Sequence, residues 1–273
     1  MIRAGLLVAA LLAALPAWSA TLAEVDRLWE AREIDRELAE STDGVALYIA
    51  EIDEEMLAGQ GGPDWQARAR AIFDRDEITR DLRATLADEL SSAEVAALLT
   101  VGEHRLGVRW TEAMLAAQHD LIDPDDMQAA VADLAQATGA RRALIERVRA
   151  GLERDPYVDQ MVAANLNYYT AFLRGALADG AFGPAPSEAM LVDLVRGQSA
   201  AFREHAFVEI LALSVRAAET FTPAEYEELV SLKATPDAEA AYGALFSAYE
   251  SAFVPRYAAL GAELSRFALE DSL

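Results

Sequence analysis

Histidine is the first residue type to question for chemistry, and this chain has three: His104, His119 and His205. None has a glutamate three positions before it, so the Glu-x-x-His motif of carboxylate-bridged di-iron bundles is missing. His-Glu-x-x-His is missing as well. His205 and Glu209 stand one helical turn apart, a spacing at which an imidazole and a carboxylate share a metal ion. With 46 Asp and Glu among 273 residues such a pair arises readily by chance, and a hydrogen-bonded structural histidine accounts for it more simply. His104 lies between Gly102 and Gly107, where capping a bend is its expected work. The chain has no cysteine, which excludes disulfides, thiolate metal sites and a cysteine nucleophile. Gly-x-Ser-x-Gly is absent, and the single lysine, Lys233, follows no glycine-rich loop, so neither a nucleophile elbow nor a P-loop is present. No catalytic residue, metal or cofactor is assigned. The enzymatic alternative is a metal-dependent or acid/base hydrolase assembled from scattered carboxylates and His205.

The cluster with most to offer is Asn165-Leu166-Asn167-Tyr168-Tyr169. At helical spacing Asn165, Tyr168 and Phe172 share one face, and Leu166, Tyr169 and Leu173 share the next. A second aromatic concentration runs from Tyr242 to Tyr257. Pro255 lies inside it, removes the amide that would bond the Ser251 carbonyl, and predicts a kink with a gap in packing. A packed central helix uses such residues as core. The functional expectation is an aromatic groove in the second half, built from Asn165, Tyr168, Tyr169, Phe172, Tyr249 and Tyr257, that accepts an apolar peptide or helix.

The elements that must position these residues all read as helices. Apolar positions recur at helical spacing from Leu22 to Ser41, with a break expected at Asp43-Gly44 and a resumption from Val45 to Leu57. Gly59 to Pro63 reads as a loop, Asp64 as the cap of one helix carrying Trp65, Ile72, Leu82 and Leu86. Ser91 with Glu94, and Thr222 with Glu225, have the spacing of capping boxes. Asp123-Pro124 starts another helix and Gly139 is expected to close it. Ser187 opens a long helix to about Thr220, and the last stripe runs from Tyr242 to Phe267. Period-2 alternation is nowhere sustained. The fold class is all-α, an antiparallel helical bundle.

Each capping box follows a long amphipathic run, and Leu98-Leu99 aligns with Leu229-Val230 without a gap. This echo predicts two related helical units, 20–122 and 140–273, joined by a connecting helix over 123–139. Residues 1–19 read as a secretory leader, with Arg3, an apolar run from Leu6 to Leu15 and small residues after Pro16. Cleavage is expected after Ser19, giving a periplasmic or secreted bacterial protein without a membrane span. Lys and Arg number 23 against 46 acids, a formal net charge of −23. That balance disfavours a nucleic-acid binder, whose affinity comes from neutralising phosphates. It disfavours docking on an anionic membrane too.

A leader, then a long helix leading into Phe221-Thr222-Pro223-Ala224-Glu225-Tyr226-Glu227-Glu228-Leu229, with Thr235-Pro236-Asp237-Ala238 beyond it, resembles the bacterial domain of unknown function 2059 family. Its repeat reads Phe-Thr-x-x-Glu, an aromatic residue, then Ser-Pro-x-Gly. Thr235 stands here for the Ser and Ala238 for the Gly. The resemblance implies an exported, all-helical protein and carries over no catalytic residue. Together these features predict a non-enzymatic scaffold or binding module whose partners are envelope proteins or peptides.

Overall fold

In the computed structural model, which describes residues 19–155, 157–183 and 186–271, Ser91 and Thr222 cap helices as their spacing predicts. The Ser91 hydroxyl accepts from the Glu94 amide at 3.2 Å, and the Glu94 carboxylate accepts from the Ser91 amide at 2.7 Å. The same pair of bonds joins Thr222 and Glu225 at 3.3 and 2.9 Å. Leu90 and Phe221, the residues before these caps, are buried, as are Val95 and Tyr226 at the facing N4 positions. A third capping box, at Thr21 and Glu24, begins the first helix. The expected leader, apart from Ser19, lies outside the described residues, as do Pro156, Pro184 and Ala185.

Among the described residues there are twelve helices. They are α1 (Leu22–Ala31), α2 (Ile34–Met56), α3 (Gly62–Ile72), α4 (Arg75–Glu89), α5 (Ser92–Gly102), α6 (Arg105–Asp120), α7 (Pro124–Gln136), α8 (Gly139–Leu152), α9 (Tyr157–Ala178), α10 (Glu188–Ala218), α11 (Pro223–Lys233) and α12 (Pro236–Asp271). The protein is all-α, and an isolated bridge between Ser19 and Ser91 is the β-type pairing present among the described residues. None of these helices is long and apolar enough to cross a membrane.

Several boundaries differ from the sequence expectation, each for a local reason. Asp43-Gly44 does not break α2, because a lone glycine costs only about 1 kcal/mol and packing on both sides of it outweighs that. The chain turns instead at Arg32-Glu33, where Glu33 adopts a left-handed φ of 53°. Trp65 to Leu86 is two helices, divided where the Asp74 carboxylate caps α4 by accepting from the Glu77 amide at 2.9 Å. Gly139 opens α8 rather than closing α7, with φ 57°. The bend at Gly102 is present, and Gly107 is the residue that permits it, since a Cβ there would lie 1.8 Å from the Val101 carbonyl oxygen.

Two apolar clusters form the core. One joins α1 to α5 with α9 and α12, through Leu28, Trp29, Trp65, Leu82, Phe172, Phe253 and Leu260. The other joins α6 to α11, through Leu106, Val148, Val162, Leu211 and Tyr226. Each cluster therefore draws on both halves of the chain. Consecutive helices were expected to run antiparallel; α9 and α12, separated in sequence by α10 and α11, run parallel. Tyr157 meets Phe246, the Asn167 amide donates to Glu250 at 2.9 Å, and Phe172 faces Gly261, so contacts advance together along both helices. The cause is topological: α10, 31 residues long, carries the chain back alongside α9 before α12 sets out again.

Gly175 and Gly261 mark the closest approach of this parallel pair. A Cβ on Gly175 would stand 2.1 Å from the Ala258 oxygen, and one on Gly261 would stand 2.0 Å from the Phe172 oxygen. α12 continues through Pro255, and the Arg256 guanidinium donates to the Ala252 carbonyl at 2.5 Å.

Removing a cap checks this local chemistry. Thr222→Ala should lower stability by about 1 kcal/mol in urea unfolding, and Ser91→Ala by a similar amount. Glu225 adds a pH signature. Hydrogen bonds from Arg109 first, then from Thr222, hold its carboxyl down to about 2 from an ordinary value of 4.5. A depressed folded-state value stabilises the fold above pH 4.5 and loses that contribution as pH falls towards 2. The stability gap between wild type and Glu225→Gln should therefore narrow over that window, and a constant gap would dissociate Glu225 from the cap.

Candidate functional site

Where α9 and α12 meet at their glycines the backbones touch. Towards the N-terminal part of α9 large aromatic side chains come between the two helices, and α2 lies against them from the other half of the chain. The result is a cleft of about 340 Å³. Six tyrosines border it: Tyr48 from α2, Tyr157 and Tyr168 from α9, and Tyr242, Tyr249 and Tyr257 from α12. Tyr168 and Tyr257 stack with centroids 4.9 Å apart and planes 11° apart, and Phe253 lies beside them. Leu245, Phe246 and Met161 complete the apolar wall.

The polar end is built around Arg32, at the turn between α1 and α2. Its Nη1 donates to the Tyr242 hydroxyl at 3.2 Å, and the guanidinium carbon sits 5.4 Å from the centre of that ring. Its Nε is sealed from solvent without a partner. Glu37, the one carboxylate bordering the cleft among the described residues, accepts from the Tyr249 hydroxyl at 3.2 Å. Behind Arg32 a second cavity of about 100 Å³ shares Arg32, Glu37, Gln118, Tyr157 and Tyr242 with the first. Lys233 borders this inner cavity and is paired with Asp155 at 3.0 Å. Burial pushes the Tyr48, Tyr157, Tyr168 and Tyr249 hydroxyls well up and Tyr257 to about 12. These tyrosines stay neutral and keep their protons to donate.

Of the six residues expected to form a groove, Asn165, Tyr168, Tyr249 and Tyr257 border this cleft. Phe172 does not: it is 3 % exposed and packs edge-on against Tyr48 at 6.1 Å. Tyr169 does not border it either; it lies one residue round the helix from Tyr168, on the neighbouring face. The groove was expected within the second half, whereas α2 supplies one wall and α6 supplies Gln118. Tyr242 begins the aromatic stretch expected to line the groove, whereas Tyr48, Tyr157, Arg32 and Glu37 were missed. The one local signal was Arg32 itself, a charge placed four residues after buried Leu28 and three after buried Trp29, in line with an apolar stripe.

The histidines lie elsewhere. His104 is the N-cap of α6, its Nδ1 accepting from the Leu106 amide at 3.3 Å. His119 is 3.6 Å from Glu40, and His205 is 3.1 Å from Glu209 on an exposed stretch of α10. Among the described residues no three His, Asp or Glu side chains converge to hold a metal ion. Added Zn²⁺ should accordingly leave the melting temperature unchanged, whereas a rise lost in His205→Ala would restore the metal-enzyme alternative.

No protein family model matches the chain, and no curated protein or solved structure matches it either.

Proposed function

We propose that this is an exported, non-enzymatic binding protein of the bacterial envelope, and that the tyrosine cleft receives the apolar part of its ligand. One observation carries this reading: six of the chain's eight tyrosines border a single cleft. A sealed core has no use for hydroxyls, and phenylalanine would fill it as well. Tyrosine suits a surface that is apolar yet must hydrogen-bond a guest. The hydroxyls of Tyr48, Tyr157, Tyr168 and Tyr257 have no protein partner among the described residues. At about 340 Å³ the cleft falls at the small end of the roughly 300–1,000 Å³ range of small-molecule sites. It holds a small ligand, or one or two side chains of a peptide, and not the face of a whole helix.

Export is supported by the leader-like opening, by the lack of cysteine and by the resemblance around Phe221 to Leu229. Cleavage after Ser19 is favoured over cleavage after Ala20, because Ala20 is buried and its amide donates to the Leu90 carbonyl at 2.7 Å.

Titration with Nile red, a neutral apolar dye, tests the cleft. Gly44 borders it, and a Cβ there would meet nothing within 4 Å, so Gly44→Phe should plug the space without straining the fold. Saturable binding to wild type is expected, at least about tenfold weaker in the plugged variant, which corresponds to about 1.4 kcal/mol. Tyr168→Ala gives a second variant. Absence of saturable binding, or binding indifferent to both changes in folded protein, would overturn the proposal.

A further inference from the structure

We propose that the ligand of this cleft is an amphipathic organic monoanion, its carboxylate held at Arg32 and its apolar body lying along the tyrosine wall. This rests on the binding function proposed above and names the class of molecule bound.

The cleft has hydrogen-bond donors to spare at its polar end, and the acceptors it offers besides Glu37 are the neutral oxygens of Gln118, Asn165 and Ser41 and the tyrosine hydroxyls. Arg32 makes one hydrogen bond, to the Tyr242 hydroxyl, although a guanidinium has five N–H groups to place. Tyr242 spends its oxygen as an acceptor in that bond, so its own proton is free. The Tyr157 hydroxyl has no partner among the described residues. Glu37, engaged by the Tyr249 hydroxyl at 3.2 Å, acts on the Arg32 charge through space without closing an ion pair with it among the described residues. Arg70, Arg75, Arg80 and Arg149 also lack an ion pair among the described residues, but they lie exposed, whereas the Arg32 Nε is sealed from solvent with no partner. Lys233, the other cation near this end, is already neutralised by Asp155.

A complementary guest brings acceptors, and one negative charge, to this end. A carboxylate meets both conditions and matches the planar guanidinium edge. A half-buried arginine with an unfilled donor set gains more from such a bond than a solvated one. At the other end the lining residues described carry no charge. Tyr48, Tyr168, Phe253, Tyr257, Leu245 and Met161 present rings and methylenes, which suit an alkyl or aromatic body. Charge at one end and apolar surface at the other define an amphipathic acid rather than a sugar, a polyanion or a metal complex.

The test displaces Nile red from the full exported chain with three probes of equal length: decanoate, decan-1-ol and decylammonium. Decanoate should bind at least about tenfold more tightly than decan-1-ol, and decylammonium least well. In Arg32→Met, which keeps the apolar stem, the decanoate preference should vanish while decan-1-ol binds as before. If Arg32→Met fails to fold, the preference measured on wild type decides, together with Arg32→Lys. Equal displacement by decanoate and decan-1-ol would overturn the anion proposal and leave the cleft as a site. A preference for decylammonium would assign the polar end to Glu37 and overturn it equally. Displacement by an amphipathic helical peptide but by none of the three would return the cleft to a peptide partner. Failure of Nile red itself to bind would overturn the cleft, a result distinct from all of these.

Discussion

Gly261→Ala is expected to destabilise the protein by about 3 kcal/mol, although alanine is the better helix former. The added Cβ would lie 2.0 Å from the Phe172 oxygen and 2.7 Å from the Ala176 nitrogen, and both are backbone atoms that cannot rotate away. α9 and α12 would have to separate, and the core contacts of Phe172 and Leu260 with them. Gly175→Ala should act similarly from the other side, against the Ala258 oxygen at 2.1 Å. One separation relieves both clashes, so the double variant should cost less than the two single costs added together. Gly197→Ala is the control. Gly197 lies inside α10 with nothing within 4 Å of its Cβ position, and there the substitution should stabilise by up to about 1 kcal/mol. Urea midpoints of the four variants and wild type give the answer, and equal shifts at Gly261 and Gly197 would dismiss the close contact.

Asp53→Ala should cost about 3 kcal/mol as well, by a different route. The Asp53 carboxylate, on α2 and only 6 % exposed, accepts from the Gly61 amide at 2.7 Å and the Gly62 amide at 3.0 Å. It serves as the cap of α3, supplied from the preceding helix rather than from the residue before α3. Alanine leaves buried amides at a helix start without acceptors. Asp53→Asn retains one acceptor oxygen and should cost about half as much. A midpoint for Asp53→Ala within the error of wild type would show that α3 is capped by other means.

The helices were legible because their signals are local. Apolar spacing and the Ser91, Thr222 and Ser187 caps are written within a few residues of where they act. The cap of α3 was not legible, because Asp53 lies eight positions before Gly61 and no periodicity links them. Likewise the sequence around Tyr168 showed an excess of aromatic surface but not what faces it. That depends on α2 docking against α9 and α12, a contact over more than a hundred residues. Helix direction depends on the length of the return path through α10, which a stripe of apolar residues does not encode.

The placement of α12 bears on how the chain reaches its native state. Leu28, Trp65 and Leu82, close to the N-terminus, are covered by partners that include the last 36-residue helix. Contacts of such sequence separation form late, since the loop between them must close first. A chain synthesised from its N-terminus thus cannot complete its first core until α12 has been made. Until then α1 to α5 are open to aggregation, and truncation anywhere before α12 would make that exposure permanent.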